Sequence, residues 1–209
     1  MSIPFVLASR SPRRLELLQL ILGDTPIEVC PPSDPSEAGF EDATTLDEIV
    51  HTLKSNATHK GNQVLAEREG RKAVIISADT VIIGKNSESG ELRVLGQPPE
   101  TDWQPTVRQW FETYYFGRTH FAATAVTLMT PKGNCTFHVL TKVKMCAADS
   151  ELLEWYLNTG ESIGKAGGYA IQGAASMFVE AVQGSLSNVV GLPIRETRQA
   201  LLSLDVLPR

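Results

Sequence analysis

The sequence is short of several things that would announce a function. Only three of its 209 residues are cysteine (Cys30, Cys135 and Cys146), and they are far apart with no C-x-x-C pair. A disulfide framework or a thiolate zinc site needs more, so the thiols read as reduced and mostly structural, as in a cytosol. Positive charge is not in excess: 19 Lys and Arg against 24 Asp and Glu leave a formal net charge of −5. That balance gives no electrostatic reason to favour a nucleic acid polymer or an anionic membrane surface. No apolar stretch approaches the ~20 residues of a membrane span. The opening MSIPFVLASRSPRR places its charges after a very short apolar run, the reverse of a secretory signal. The expectation is a cytoplasmic chain without a membrane partner. There is no G-x-x-x-x-G-K-S/T, no G-x-G-x-x-G after a strand and no G-x-S-x-G elbow. His51, His59, His120 and His138 have no metal-ligand spacing and read as surface or core residues. What is present, 42% apolar and 21% charged residues, suits one domain (1–209) with a sizeable core and a lobed outline.

The pattern along the chain mixes strands, hairpins and helices. Ser2–Ala8 reads as a strand. Ser11 and Pro12 then sit as N-cap and first residue of a helix whose leucines run to Gly23. Ile27–Cys30 reads as a second strand and residues 31–39, rich in proline, as a loop. Thr45-Leu-Asp-Glu48 is a capping box opening a long helix to about Arg68, with an apolar stripe at Leu46, Ile49, Val50, Leu53, Ala57 and Val64. Ala73–Gly84 is a buried strand, Lys85–Gly90 a turn and Glu91–Leu95 the returning strand. Thr101 to about Tyr115 is an aromatic-bearing helix. Phe121–Met129 and Cys135–Cys146 are strands around a turn at Pro131–Asn134. Asp149 or Ser150 caps a helix to Thr159-Gly160, Ala175–Val182 is strand-like, and Pro193 opens a terminal helix ending near Leu204. Five glycines at 160, 164, 167, 168 and 173 mark a backbone that bends sharply or approaches a ligand. The fold class expected is α/β with a mixed sheet.

Three places carry chemistry. Ser9–Arg14 crowds Arg10, Arg13 and Arg14 where a strand feeds a helix N-terminus, a place suited to phosphate oxygens, or simply a basic helix start. Asp79 lies mid-strand between apolar runs. Burying a carboxylate costs several kcal/mol unless it is paired, so Asp79 is a general base, a metal ligand, or an acceptor for backbone N–H groups. Lys60 falls on the apolar stripe of the long helix, three after Ala57 and four before Val64. It either snorkels outward or meets negative charge in a cleft. Near Asp79 and Arg13 it would complete a polyphosphate site.

Four blocks in order, S-R-S-P-R-R-L-E-L-L (9–18), S-A-D-T-V-I (77–82), G-K-A-G-G-Y-A-I-Q-G (164–173) and N-V-V-G-L-P-I (188–194), make the chain resemble the Maf family of septum-formation-inhibitor-like nucleotide pyrophosphatases. The resemblance implies a strongly twisted mixed sheet with flanking helices, in an elongated two-lobed molecule with a central cleft, related to the inosine triphosphatases and often dimeric. It implies hydrolysis of a free nucleoside triphosphate to the monophosphate and pyrophosphate with a divalent metal, Mg²⁺ or Mn²⁺, as a house-cleaning activity. Carried over by position, Asp79 is the proton acceptor, and Ser9, Arg13, Arg14 and Lys60 bind substrate. Glu37 joins Asp79 as a metal ligand.

Two positions depart from the pattern: Arg10 stands where the family usually has a small residue, and Gln97 where it favours lysine before a proline, with Lys85 or Arg93 as compensating cations. Arg13, Thr80 and Gln172 match the branch associated with dTTP and UTP. The 7-methyl-GTP branch tends to carry a bulky aromatic, glutamine and glutamate instead. A glutamine amide can both donate to and accept from the uracil or thymine edge, and cytosine would fit a flipped amide; guanine's paired donors suit a carboxylate. The alternatives are the same fold acting on 7-methyl-GTP or inosine triphosphate, and a non-enzymatic nucleotide-binding division factor.

Overall fold

The structure, a computed structural model, describes residues 3–34, 36–87 and 89–207. Ser2 of the expected first strand, Pro35 of the loop and Glu88 of the turn lie outside the described residues. The short apolar run near the N-terminus becomes β1 (Phe5–Leu7), fully buried. Ser11 then starts α1 (Pro12–Leu22), its side chain accepting the Arg14 N–H, and β2 (Ile27–Val29) follows. The capping box forms as expected: Thr45 accepts from Glu48 N–H, and Glu48 accepts from Thr45 N–H at 2.9 Å. These contacts open α2 (Leu46–Glu67), and Ile49, Leu53, Ala57 and Val64 of the expected stripe are buried.

β3 (Val74–Lys85) is the centre of the sheet. It pairs in parallel with β1 on one side and antiparallel with β5 (Thr119–Thr130) on the other. The order is β2-β1-β3-β5-β6-β7, with β6 spanning Gly133–Met145 and β7 spanning Val179–Gln183. β4 (Leu92–Leu95) returns antiparallel on β3, on the edge that β1 uses further back. The sheet is therefore mixed, as expected.

Side-chain alternation sorts the core into layers. Val81 and Ile83 face Ile49, Leu53 and Ala57 of α2. Val74, Ile76 and Ala78 face the other way, against Leu18 and Leu22 of α1 and Leu201 of α6 (Ile194–Ser203). On that second face an aromatic cluster of Phe111, Tyr115, Tyr156, Tyr169 and Phe178 gathers around Ile82. Phe111 and Tyr115 come from the π-helical turn Phe111–Tyr115 that continues α3 (Trp103–Trp110), Tyr156 from α4 (Ser150–Asn158), and Tyr169 and Phe178 from the segment after it.

Four expectations are corrected. The helix expected from Thr101 starts at Trp103, and its last turn widens, Phe116 N–H donating to the Phe111 carbonyl at 2.9 Å. The expected turn 131–134 is only Pro131-Lys132, because Thr130 already pairs with Gly133. The strand expected over Ala175–Val182 is 3₁₀ helix at its start, the helix spanning Ala174–Phe178. The Glu161 carboxylate accepts the N–H groups of Ala174 (2.7 Å) and Ala175 (3.1 Å), donors that a ladder would have used, so the strand begins only at Val179. A short helix, α5 (Leu186–Val190), was not expected; Ser185 caps it, and buried Asn188 ties it to Ala122 and Thr141 of the sheet.

Candidate active site

The site arises from a gap in strand pairing. β1 covers one edge of β3 up to Ile76 and β4 covers the same edge from Ile82, so among the described residues no strand pairs with Ser77–Val81 there. Asp79 and Thr80 sit in that gap. Being neighbours on a strand they point to opposite faces, and the open edge gives both faces access to one cleft of about 860 Å³. That volume is within the ~300–1,000 Å³ typical of small-molecule sites. The gap also lies past the carboxyl end of β1, where open α/β sheets place their ligands.

On the α2 face, Asp79 is 5% exposed. Its burial is compensated by Lys60, whose Nζ donates to Oδ1 at 2.7 Å, and by the Asn56 amide at 3.4 Å from Oδ2. Lys60 reaches Asp79 because α2 lies close to β3. A Cβ at Gly61 would stand 2.9 Å from Ser77 Oγ, and that hydroxyl donates to the Ala57 carbonyl at 2.6 Å. The same ammonium meets Glu37 Oε1 at 2.7 Å. Lys60 thus faces the cleft and does not snorkel outward.

On the opposite face Arg14 is a hub. Its Nη2 donates to Thr80 Oγ1 at 3.0 Å, its Nε to the Gly191 carbonyl at 3.0 Å and its Nη1 to Ser9 Oγ at 3.3 Å. Burial holds its guanidinium below the usual value; Asp79 and Glu37 oppose that and Arg13 adds to it. Arginine stays protonated throughout, so Arg14 is a fixed positive charge at the N-terminus of α1. Beside it Arg13 lines the cleft, with a buried Nε that has no hydrogen-bond partner among the described residues. A buried donor without an acceptor is costly, which marks this position for a ligand oxygen.

Arg13, Arg14, Glu37, Lys60, Asp79, Thr80 and Gln172 therefore all line one cleft, as do Gln97 and Arg93. Ser9 does not: it is buried under Arg14 and accepts the Ser11 N–H at 3.2 Å, so its contact is with the arginine. Arg10 is exposed and outside the cleft lining, and Lys85 lies by a separate hollow with Lys142 and Lys144. Sequence reasoning missed Asn56, Lys165, Glu41 and the Gly191 carbonyl. Asn56 left a signal, a polar residue between Leu53 and Ala57 on the buried stripe, and Lys165 stands inside the glycine-rich block.

A divalent cation fits the donors present. Glu37 and Asp79 converge on one point, where an ammonium now bonds both. Both offer hard oxygens, and Mg²⁺ or Mn²⁺ is commonly held by one or two carboxylates plus phosphate oxygens and water. No group of three or more His, Cys, Asp or Glu suited to a metal occurs among the described residues, so protein ligands would be these two.

Fold and site define an α/β protein whose cleft, at the open edge of a mixed sheet, gathers cations around a buried carboxylate. Residues 4–204 match the family described as Maf-like protein, and the chain belongs to that family. It is 35% identical over 208 residues to a dTTP/UTP pyrophosphatase of Exiguobacterium sibiricum, covering 98% of this chain and 94% of the relative. A dTTP/UTP pyrophosphatase of Nitrobacter hamburgensis is 36% identical over 198 residues, covering 93% and 89%. A HAM1 protein from Coxiella burnetii superposes with a TM-score of 0.49 at 13% identity, over 96% of this chain and 99% of that one. No helix among the described residues is long and apolar enough to cross a membrane.

Proposed function

We propose that this protein hydrolyses dTTP and UTP to the monophosphate and pyrophosphate. The observation that carries the proposal is the meeting of Arg13, Arg14 and Lys60 around Asp79 in one cleft. The names of its full-length relatives agree with it. The triphosphate lies along the N-terminus of α1, where Arg13 Nε and the helix dipole meet its oxygens. Phosphate oxygens compete for the Lys60 ammonium and draw it from Asp79. Asp79 then takes the proton of a water whose oxygen bonds the α-phosphorus. The bond from that phosphorus to the bridging oxygen breaks, and pyrophosphate departs with the pair. Glu37 and Asp79 would hold a divalent cation, which would supply neutralisation of the charge that builds on the phosphates. Gln172, exposed at the rim, reads the pyrimidine edge with one donated and one accepted bond.

A panel of nucleoside triphosphates with Mg²⁺ or Mn²⁺ tests this, released pyrophosphate being converted to phosphate and detected with malachite green. Turnover of dTTP and UTP is expected, and Asp79→Asn should abolish it while nucleotide binding persists. No pyrophosphate from any triphosphate would favour the non-enzymatic division factor. Turnover of purines alone would overturn the assignment of Gln172, and a turning-over Asp79→Asn that of the proton acceptor.

A further inference from the structure

Four side chains of α2 hold the loop that delivers Glu37. Asn56, Lys60, Gln63 and Glu67 are spaced by four, three and four residues, which puts them on one helix face. Glu67 accepts the Ser33 N–H at 3.1 Å and Gln63 that of Asp34 at 3.2 Å; Lys60 bonds Glu37 at 2.7 Å. Asn56 takes both backbone groups of Ala38, accepting its N–H at 3.0 Å and donating to its carbonyl at 3.1 Å. The loop therefore runs antiparallel along the helix.

Asn56 differs from the other three. It is 3% exposed, and the second hydrogen of its amide points at Asp79 Oδ2, 3.4 Å away. Both amide hydrogens and the amide oxygen are thus committed, one to the catalytic carboxylate and two to the residue beside Glu37. A flipped amide would set its oxygen against both the Ala38 carbonyl and Asp79, so the orientation follows from the partners. We propose that Asn56 is a positioning residue, the joint that fixes Asp79 and the Glu37 loop in one geometry for the reaction. This rests on the pyrophosphatase reading above. An ordinary loop anchor would need only the Ala38 bonds; the bond to Asp79 gives the joint a bearing on chemistry.

The test uses the full chain with Asn56→Ala and with Asn56→Leu, which refills the volume should the smaller residue fail to fold. Two quantities are read: dTTP kinetics, and amide hydrogen exchange across residues 33–40. In folded variants kcat should fall between about 10- and 100-fold with KM changed by less than about threefold, and Ala38 N–H should lose protection at least tenfold, on the order expected for a lost anchoring bond. A kcat within about twofold of wild type would overturn the proposal. So would a loss of activity that only follows a smaller folded fraction, or an unchanged Ala38 exchange rate. If the wild-type chain releases no pyrophosphate from any triphosphate, the pyrophosphatase reading fails and the reaction role of Asn56 with it. Exchange at Ala38 would then still report whether Asn56 anchors the loop.

Discussion

Lowering the pH from 7 to 5 should cost this protein about 2 kcal/mol of stability through His120 alone. The imidazole sits on β5 with no exposed surface, packed 4.5 Å from the Tyr115 ring, with Nε2 2.7 Å from the Tyr169 hydroxyl. Its Nδ1 has no partner among the described residues, so a proton added to the ring would leave a buried N–H without an acceptor. Burial pushes its pKa from 6.5 down to about 3. In the unfolded chain the ring protonates below about pH 6.5, whereas in the folded chain it stays neutral to about pH 3. Stability from this group is therefore complete above pH 6.5 and lost as pH falls toward 3, at about 1.4 kcal/mol per unit. At pH 5 the loss is about 2 kcal/mol. Urea unfolding of wild type and His120→Gln at both pH values, at fixed ionic strength, isolates the term. The variant will be less stable overall, but its loss between the two pH values should be smaller by about 2 kcal/mol. Equal losses in the two proteins would refute the assignment of a buried, neutral imidazole. Tyr169 also lines the cleft, so the same ring supports the wall beside Gln172.

Gln172→Glu should lower kcat/KM for dTTP and UTP by about tenfold or more, since a carboxylate cannot donate to a base carbonyl and repels it. Unchanged pyrimidine turnover in a substrate panel would sink the base-reading role. Gly167→Ala should destabilise the fold by about 2–4 kcal/mol, combining left-handed strain with overpacking. Its φ is +71°, and a Cβ there would stand 2.6 Å from the Tyr115 hydroxyl and 2.7 Å from Ile82. Thermal unfolding reads this, and an unchanged Tm would show that the block tolerates a side chain there.

The parts of the site that were legible lie on one element each. The helical period places Lys60 on the stripe with Ala57 and Val64, so its inward direction is a local property. The start of α1 is equally local, Ser11 and Pro12 being enough to place Arg13 and Arg14 at a helix N-terminus. Asp79 was conspicuous because a charge in a β-branched run needs a partner. Asn56 was not, because its meaning depends on Ala38, 18 residues earlier on a loop, and on Asp79, 23 residues later on a strand. Ser9 was placed with the substrate only by the resemblance, and its tie to Arg14 depends on how α1 returns to the end of β1, which no spacing reveals. Residues 175–178 depart from the expected strand for the same kind of reason. Apolar content suggested a strand, while the deciding carboxylate, Glu161, comes from the loop after α4.

Placing Asp79 and Thr80 back to back on one strand makes the site unforgiving of length. Shifting the first half of β3 by a single residue would hand the carboxylate to the Arg14 layer and the hydroxyl to the Lys60 layer, disabling both at once. A ladder of nine consecutive pairs with β5, from Ile75 to Ile83, pins the strand against such a slip. Insertions and deletions should therefore be tolerated in the exposed turn between β3 and β4, after the ladder has ended. Between residues 74 and 79 even one would move the chemistry to the wrong side of the sheet.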